Sequence, residues 1–277
     1  MPMLEVVCLM FSSQPELERL DIMNALFDLV LEKLHHMPID PNESHRILDI
    51  GTGTGIWAIE VGEECPTAEV IGIDISPTMP LTVPPNVKFE VADIEDAWNF
   101  SYPFTRIHSR YMAGSIKDWP LLMRQCFNNL EPGGWAEFCD FDIDYYSQDG
   151  TLTEHHALRK WLTTAYGAEA VTGRTLRPGK MLQYWMEQNG FHNIQVLRQP
   201  LPLGIWPKDK KLKKIGFLNW TQLWEGLSGM SLRLYLDCLG WSAEELELLL
   251  VDVRKDLKDR KLHVLFDLYT VWGQRPL

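Results

Sequence analysis

The stretch RILDIGTGTGIWAIEVG, residues 46–62, joins a short strand pattern to a helical pattern through a glycine-rich turn. Gly51, Gly53 and Gly55 occupy alternate positions directly after the apolar run, and apolar residues at helical spacing follow them. A glycine turn between a strand and a helix is typical of sites where an α/β protein holds a nucleotide-like ligand. The stretch therefore predicts an α/β fold with a ligand site at the carboxyl end of this first strand.

The spacing of the glycines narrows the choice of ligand. The dinucleotide fingerprint G-x-G-x-x-G needs a glycine at position 56, which is Ile56 here. Asp49, two residues before the first glycine, would repel a pyrophosphate but would help to order an ammonium group. These features favour a nucleoside that carries an amino-acid tail and no phosphate, namely S-adenosylmethionine. The predicted cofactor turn comprises Asp49, Gly51, Thr52, Gly53 and Gly55.

Acidic residues also end the next two strand patterns. Asp74 ends IGID at 19 residues after Gly55, an offset at which a carboxylate can accept both ribose hydroxyls. Asp93 in VADIED, together with the backbone of Ile94, is a candidate for holding the adenine edge, and a strand-end cap is the alternative for Asp93. The predicted cofactor site therefore also includes Asp74, Ile75, Asp93 and Ile94.

The composition limits the type of protein, its partners and its compartment. The 277 residues are 45% hydrophobic and 23% charged, which is ordinary for a soluble globular chain. The net charge of −12 argues against a duplex nucleic-acid partner. The five cysteines are scattered without a CxxC pair, as expected for free thiols in a reducing compartment. With no signal peptide and no run of 18 apolar residues, we expect no membrane association and a cytoplasmic or nuclear protein.

Strand and helix patterns alternate along the first half of the chain, with GGWAEFCDF (133–141) as the fifth predicted strand. This alternation predicts a parallel sheet with helices on both faces. The second half is richer in helical patterns, among them HALRKWLTTAYGAEAV (156–171) and SAEELELLLVDVRKDL, where Ser242 and Glu245 predict a capping box. No linker divides the chain, so we predict a single domain over residues 1–277. Its predicted parts are an N-terminal helix and loop (15–40, with the helix over 15–36), a cofactor-binding core (46–145) and two helical, substrate-side insertions (151–190 and 205–258).

The candidates for chemistry lie near the carboxyl ends of predicted strands. Methyl transfer to a good nucleophile depends mainly on orientation, which can supply about 7–11 kcal/mol. A base is needed for a phenol, an alcohol or a carbon acid, and Tyr111, His155 and His156 are the candidates, with a helix-surface position as the alternative for the histidines. The alternating aspartates of DFDIDYY (140–146) suggest a metal at first sight, but no further ligands accompany them, and we predict no metal site.

Four aromatic residues are candidates for an apolar acceptor pocket. Trp220 and Trp224 lie four residues apart on one predicted helical face, while Trp119 and Tyr145 follow strand patterns. Core packing is the alternative for the tryptophans, with Asp118 as the cap of the helix that Trp119 opens. We predict that Trp119, Tyr145, Trp220 and Trp224 contact the substrate.

Several of these motifs together resemble a known family. The chain resembles the class I S-adenosylmethionine-dependent methyltransferases in the motifs DIGTGTG, VIGIDIS, ADIED and LEPGG. It resembles the fungal LaeA-like methyltransferases in particular, over nearly its whole length, in the motifs IHSRYMAGSIKDWP, FNNLEPGGWAEF and GIWPKDKKLKKIG. The resemblance implies a Rossmann-like, seven-stranded, mostly parallel sheet whose last strand is antiparallel, with helical insertions over the site. It also implies that Ser109, Arg110 and Tyr111 belong to the cofactor site.

The N-terminus departs from this family pattern. Family members usually carry a longer extension that covers the site, whereas about ten residues precede FSSQPELERLD here. Three alternatives are open: the cover is absent, MLEVVCLMF rebuilds it, or it belongs to a part of the protein that this sequence does not include.

The leading hypothesis is S-adenosylmethionine-dependent methyl transfer to an O, N or C atom of a small, apolar secondary metabolite. One alternative is a regulatory protein that binds the cofactor and works with a velvet-type partner, as the resemblance allows. Another is an isomerase or cyclase that uses the sulfonium as a fixed charge without methyl transfer. A dehydrogenase is disfavoured by Ile56.

Overall fold

A computed structural model describes the backbone of residues 14–277 and the side chains from residue 19 onward. The predicted cover MLEVVCLMF lies outside the described residues. The strands are β1 Arg46–Ile50, β2 Glu69–Asp74, β3 Val87–Val91, β4 Phe104–Arg110, β5 Leu130–Tyr146, β6 His192–Leu203 and β7 Val264–Gln274. The α-helices are α1 Gln14–Leu31, α2 Ile56–Glu64, α3 Trp119–Asn129, α4 Ala157–Ala165, α5 Gly167–Thr172, α6 Leu182–Gln188, α7 Lys210–Leu232 and α8 Ala243–Lys258.

The seven strands form one sheet in the order β3-β2-β1-β4-β5-β7-β6. All neighbours are parallel except β7, which runs antiparallel to both β5 and β6. The predicted seven-stranded sheet with an antiparallel last strand is therefore confirmed. The strand order reverses direction between β1 and β4, and open α/β sheets bind their ligands in the crevice at such a switch point.

Burial explains why the central strands have continuous apolar runs. β1 and β2 are buried at nearly every position, because helices cover both faces of the sheet. One face packs against α1, α4, α7 and α8, and a second cluster of buried residues packs around α3 and α6. The predicted capping box at the start of α8 is present, with Ser242 and Glu245 bonded reciprocally. No helix in the described part of the chain is long and apolar enough to cross a membrane.

The prediction that the first helix extends to residue 36 is wrong. The helix ends at Leu31, and Glu32 has a left-handed backbone with φ of 56°. The backbone beyond the helix is bonded to α2 instead, since Trp57 Nε1 donates to the Leu34 carbonyl at 2.8 Å. Long-range contacts of this kind turn the chain toward β1, and the helical apolar pattern does not reveal them.

The prediction of one helix from His156 to Val171 is also wrong. The segment divides into α4 and α5 at Tyr166, whose hydroxyl donates to the Ile143 carbonyl at 2.8 Å. β5 is longer than the predicted strand GGWAEFCDF, because β7 pairs with it from Trp135 to Tyr146.

Glu137, in the middle of β5, fastens the segment between α1 and β1 to the sheet. Its Oε2 accepts hydrogen bonds from the backbone N–H groups of His36 (2.6 Å) and Met37 (2.5 Å). The side chain is 1% exposed, and burial raises its pKa from 4.5 to about 7 against the opposing effect of the two donors. The folded protein therefore binds this proton more tightly than the unfolded chain does.

A pH-dependent stability follows from this shift. The stabilising contribution of Glu137 is complete below pH 4.5 and is lost as the pH rises through about 7, a change of about 3 kcal/mol. In Glu137→Gln the amide oxygen still accepts both N–H groups but the side chain does not titrate. We expect urea unfolding at pH 5 and pH 8 to show a smaller loss of the free energy of unfolding in the variant than in wild type. Equal losses in the two proteins would contradict the assignment.

Candidate functional site

The glycine turn lies at the switch point, directly after β1. Gly51, Gly53 and Gly55 all have left-handed backbones, with φ of 68°, 57° and 78°. A Cβ at Gly51 would overlap the Met112 sulfur, and a Cβ at Gly55 would overlap the ring of Phe89. A Cβ at Gly53 would point into open space, with Leu20 Cδ1 of α1 as its nearest neighbour at 3.9 Å. The turn therefore leaves room for a ligand at Gly53.

Asp74, at the end of β2, is bonded to the turn. Its Oδ2 accepts the Gly53 N–H at 2.9 Å, and its Oδ1 accepts the Ser76 N–H at 2.9 Å. Burial raises the pKa of this carboxyl, and the backbone donors, including that of Ile75, partly offset the effect. Each carboxylate oxygen has a second lone pair, so Asp74 retains capacity to accept ligand hydroxyls.

Asp93 and Ile94 follow β3. Asp93 Oδ1 accepts the Glu95 N–H at 2.9 Å, which is the strand-end cap considered for it. Ile94 is 8% exposed, and its carbonyl accepts the indole N–H of Trp98 at 2.9 Å. The structure thus places both residues on the β3 side of the switch point, and their contact with adenine stays a prediction.

The end of β4 brings together the remaining predicted cofactor residues. Ser109 is 2% exposed, and its hydroxyl has no hydrogen-bond partner among the described residues. Arg110 donates to Asn24 Oδ1 at 2.5 Å and lies over the ring of Phe27 at 4.5 Å. Tyr111 has a left-handed backbone with φ of 63°. This conformation is uncommon for a bulky residue and occurs preferentially at functional sites.

Helix α1 covers this end of β4. Arg19 Nη1 donates to the Tyr111 hydroxyl at 2.6 Å, and the Tyr111 ring lies edge-on to Phe27 and Phe141 at 6.2 and 5.6 Å. Gly226 of α7 leaves space for Arg19, because a Cβ there would lie 3.3 Å from Arg19 Cδ. A phenol, a guanidinium and an apolar aromatic cluster therefore meet beside the glycine turn.

Asp140 supports the backbone that follows Tyr111. Its carboxylate accepts the N–H groups of Met112 (2.6 Å) and Phe141 (2.8 Å). Burial raises its pKa to about 7. The neighbouring aspartates have separate partners, since Asp142 pairs with Lys180 and Asp144 with Arg159. Within residues 19–277, no group of three or more His, Cys, Asp or Glu is close enough to hold a metal ion.

His155 and His156 are not brought to the glycine turn. β5 continues from Cys139, the partner of Arg110, to Tyr146. The paired strand β7 advances by five residues over this stretch, from Thr270 to Leu265, which at about 3.4 Å per residue places the end of β5 about 17 Å beyond that level. The histidines follow this far end, where His156 Nδ1 accepts the Thr153 N–H at 3.0 Å. Their catalytic role stays a prediction, and this geometry favours Tyr111 over them.

The predicted substrate-contacting aromatics also lie in different places. Trp119 is 2% exposed and stacks on Trp185 at 5.4 Å, and Tyr145 is 5% exposed beside Phe266 at 5.6 Å. Trp220 and Trp224 stack on each other at 5.1 Å on α7, and the Trp220 indole donates to the Leu257 carbonyl of α8. A cavity of about 280 Å³ beside Trp220 includes the residues Leu203, Trp206, Phe217, Leu257 and Val264.

Four further residues shape the site and were not among the predicted site residues. Arg19, Leu20 and Asn24 reach it from α1, and their positions in an amphipathic helix gave no signal of that contact. His108 is the fourth; it lies in β4, and its contact with Asp49 of β1 depends on how the two strands pair.

The site fits the predicted S-adenosylmethionine. The open position at Gly53 allows a ligand close to the backbone, and Asp74 presents a fixed carboxylate. The hydroxyl of Ser109, which no described residue binds, lies at the switch point. A doubly wound sheet with such a turn defines an α/β protein that binds a nucleoside-type cofactor.

Comparisons with known proteins specify the family. A family model described as a methyltransferase domain matches residues 23–196, more than half of the chain. Methyltransferase pytC of Aspergillus terreus is 40% identical over 94% of this chain and 81% of its own length. The secondary metabolism regulator LAE1 of Cochliobolus heterostrophus is 33% identical over 95% of this chain and 88% of its own. The chain therefore belongs to the methyltransferase family, and the prediction of an S-adenosylmethionine-dependent methyltransferase is confirmed.

A solved structure agrees at the level of the fold. Phosphoethanolamine N-methyltransferase 2 of Haemonchus contortus, in complex with S-adenosyl-L-methionine, aligns with a TM-score of 0.53 at 19% identity, over 92% of this chain and 53% of that protein.

Proposed function

We propose that this methyltransferase acts on a small, apolar secondary metabolite with an O, N or C acceptor atom. The observation that carries the proposal is the position of Tyr111, whose phenol lies beside Arg19 within the aromatic cluster of Phe27 and Phe141. Apolar walls around a few placed polar groups are typical of small-molecule sites. The name of the pytC relative, a methyltransferase, supports a catalytic role.

The proposed cofactor contacts follow the geometry of the turn. Asp74 would accept the ribose hydroxyls, and the backbone of residues 51–55, which is bonded to Asp74 at Gly53, would lie along the ribose and the adjoining amino-acid tail. Asp93 and Ile94 would hold the adenine. Ser109, Arg110 and Tyr111 complete this site at the end of β4. The bound cofactor supplies an activated methyl group, so the protein has to align the acceptor and exclude water.

Tyr111, as its phenolate, is the proposed proton acceptor when the acceptor atom belongs to a hydroxyl or a carbon acid; the proton passes to its oxygen as the methyl group is transferred. Arg19 fixes the orientation of its phenol at 2.6 Å, and Asp140 holds the backbone at Met112. A positioned acid or base contributes about 10²–10⁴-fold to such reactions. His155 and His156 remain the competing candidates.

Methyl-labelled cofactor tests the proposed activity and the proposed base. Incubation with fungal metabolite extracts should give small molecules that carry one labelled methyl group, detected by mass spectrometry. We expect Tyr111→Phe to lower kcat for a hydroxyl acceptor by about 10²-fold or more, and His156→Ala to leave it unchanged. The opposite pattern would assign the base to the histidine.

A regulatory role with a velvet-type protein partner is the second proposal, because the LAE1 relative is named a secondary metabolism regulator. In that case the labelled extracts would contain no methylated small molecule, while the protein would bind the cofactor and form a stable complex with a purified velvet-type protein. Labelled metabolites without such a complex would count against this role.

A further inference from the structure

Asp49 has no free face toward a ligand. The residue is 3% exposed, its Oδ1 accepts a hydrogen bond from His108 Nδ1 at 2.7 Å, and its Oδ2 accepts one from the Thr52 hydroxyl at 2.6 Å. Because an ionised carboxylate only accepts, the imidazole carries its hydrogen on Nδ1 and the hydroxyl points at Asp49. Both oxygens are engaged, and the carboxylate is buried beneath the turn, unlike the partly exposed Asp74, so direct ordering of the cofactor ammonium does not fit this geometry.

His108 joins the elements that hold the turn. It pairs in register with Asp49 across β1 and β4, so both side chains lie on one face at the same level of the sheet. Its ring is 2% exposed and stacks on Trp57 of α2, with centroids 3.6 Å apart and planes 7° apart. Burial lowers the pKa of His108, against the effect of Asp49, so the neutral ring is favoured. The Trp57 indole in turn donates to Leu34.

Thr52 is the point at which this network reaches the turn. It lies between Gly51 and Gly53, it is 8% exposed, and its N–H donates to the Ile73 carbonyl at 3.0 Å. Its hydroxyl lies directly above Gly72, where an added Cβ would be 2.7 Å from Oγ1. Glycines sample many backbone conformations, so a turn with three of them needs restraint from neighbouring residues. The side chain of Thr52 supplies this restraint.

We propose that His108 is a positioning residue that fixes the glycine turn for the cofactor through Asp49 and Thr52. Asp49 then affects cofactor binding through the turn and not by contact with the amino-acid tail. The inference rests on the proposed role of the turn in cofactor binding but not on the acceptor. It predicts that disruption of the network weakens every ligand that uses the turn by the same factor.

Two ligands separate positioning from direct contact. S-adenosylhomocysteine has the amino-acid tail, and 5′-deoxy-5′-methylthioadenosine lacks it. Calorimetric titration of His108→Leu and Thr52→Val should give dissociation constants about tenfold or more above wild type for both ligands, by equal factors. The matched variants His108→Asn and Thr52→Ser keep a donor toward Asp49, and we expect them to remain within about threefold of wild type. Thr52→Val is nearly isosteric and serves if His108→Leu does not fold.

Asp49→Asn decides the second half of the proposal. Equal weakening of both ligands supports action through the turn. Weakening of S-adenosylhomocysteine alone would show direct contact with the tail and overturn the inference. A lower melting temperature of Thr52→Val with unchanged dissociation constants would give the network a purely structural role and overturn the inference. Absence of ligand binding to wild type would overturn it as well. The titrations contain no acceptor, so failure of the proposed acceptor class leaves them interpretable.

Discussion

Replacement of Asp74 by alanine is expected to raise the dissociation constant of S-adenosylhomocysteine by at least about 100-fold without unfolding the protein. The change would remove the two charged hydrogen bonds that we propose between Asp74 and the ribose, each worth about 1.5–3 kcal/mol, and every 1.4 kcal/mol is tenfold in affinity. It also frees the Gly53 N–H, which the carboxylate fixes at 2.9 Å. Because burial raises the pKa of Asp74, the charged carboxylate carries a desolvation cost, so its removal should spare the fold.

Calorimetric titration and circular dichroism of the same samples check this expectation. Asp93→Ala is the matched control, since Asp93 ends the neighbouring strand β3 and its carboxylate caps only its own turn through the Glu95 N–H. We expect that variant to lose no more than about tenfold in affinity. An unchanged dissociation constant in Asp74→Ala would remove the ribose assignment. NAD should not bind measurably to any of these proteins, because Ile56 breaks the dinucleotide spacing.

The parts of the site that local patterns encode were predictable. The glycine turn and Asp74 follow strand patterns, and parallel strands bring their carboxyl ends to one edge of the sheet, so the sequence places these residues together before any contact is known. The structure adds that Asp74 Oδ2 is bonded to the Gly53 N–H. Local order along the chain and the position of a strand end were sufficient for this prediction.

The parts that depend on contacts between distant segments were not predictable in this way. Arg19 meets Tyr111 across 92 positions of the chain, and Glu137 holds Met37 across 100. The second of these contacts helps to end the predicted first helix early, and the first turns a residue of that helix into part of the site. The contact between His108 and Asp49 was not predictable either, because only the register of β1 and β4 brings the two residues together.

The length of β5 had the largest consequence for the candidate catalytic residues. From the sequence, the histidines follow a strand that ends near the cofactor edge. In the structure the strand continues to Tyr146 because β7 pairs with it, and this extension carries His155 and His156 away from the turn. Antiparallel pairing with a strand from the end of the chain is a non-local event that alternation of residues does not reveal.

Alanine at Gly55 should mainly lower the stability of the fold, whereas alanine at Gly53 should mainly weaken cofactor binding. Both glycines have left-handed backbones, so both variants carry a backbone cost of about 1–2 kcal/mol. At Gly55 the new methyl group would also overlap the ring of Phe89, which is held in place because its Cδ1–Cε1 edge packs directly against Gly72. Overpacking adds about 1–3 kcal/mol, so we expect Gly55→Ala to lose about 2–5 kcal/mol of the free energy of unfolding.

Gly53→Ala has the same backbone cost but open space for its methyl group, with Leu20 Cδ1 at 3.9 Å. It should therefore lose only about 1–2 kcal/mol of the free energy of unfolding. The methyl group would occupy the space proposed for the cofactor and displace the ligand from the backbone N–H groups, which costs at least about one or two hydrogen bonds. The dissociation constant of Gly53→Ala for S-adenosylhomocysteine should therefore rise by about 30-fold or more. Urea unfolding and calorimetric titration of the two variants measure both quantities. If Gly53→Ala bound the ligand as wild type does, the cofactor would lie elsewhere, because no other position of the turn combines a left-handed glycine with free space.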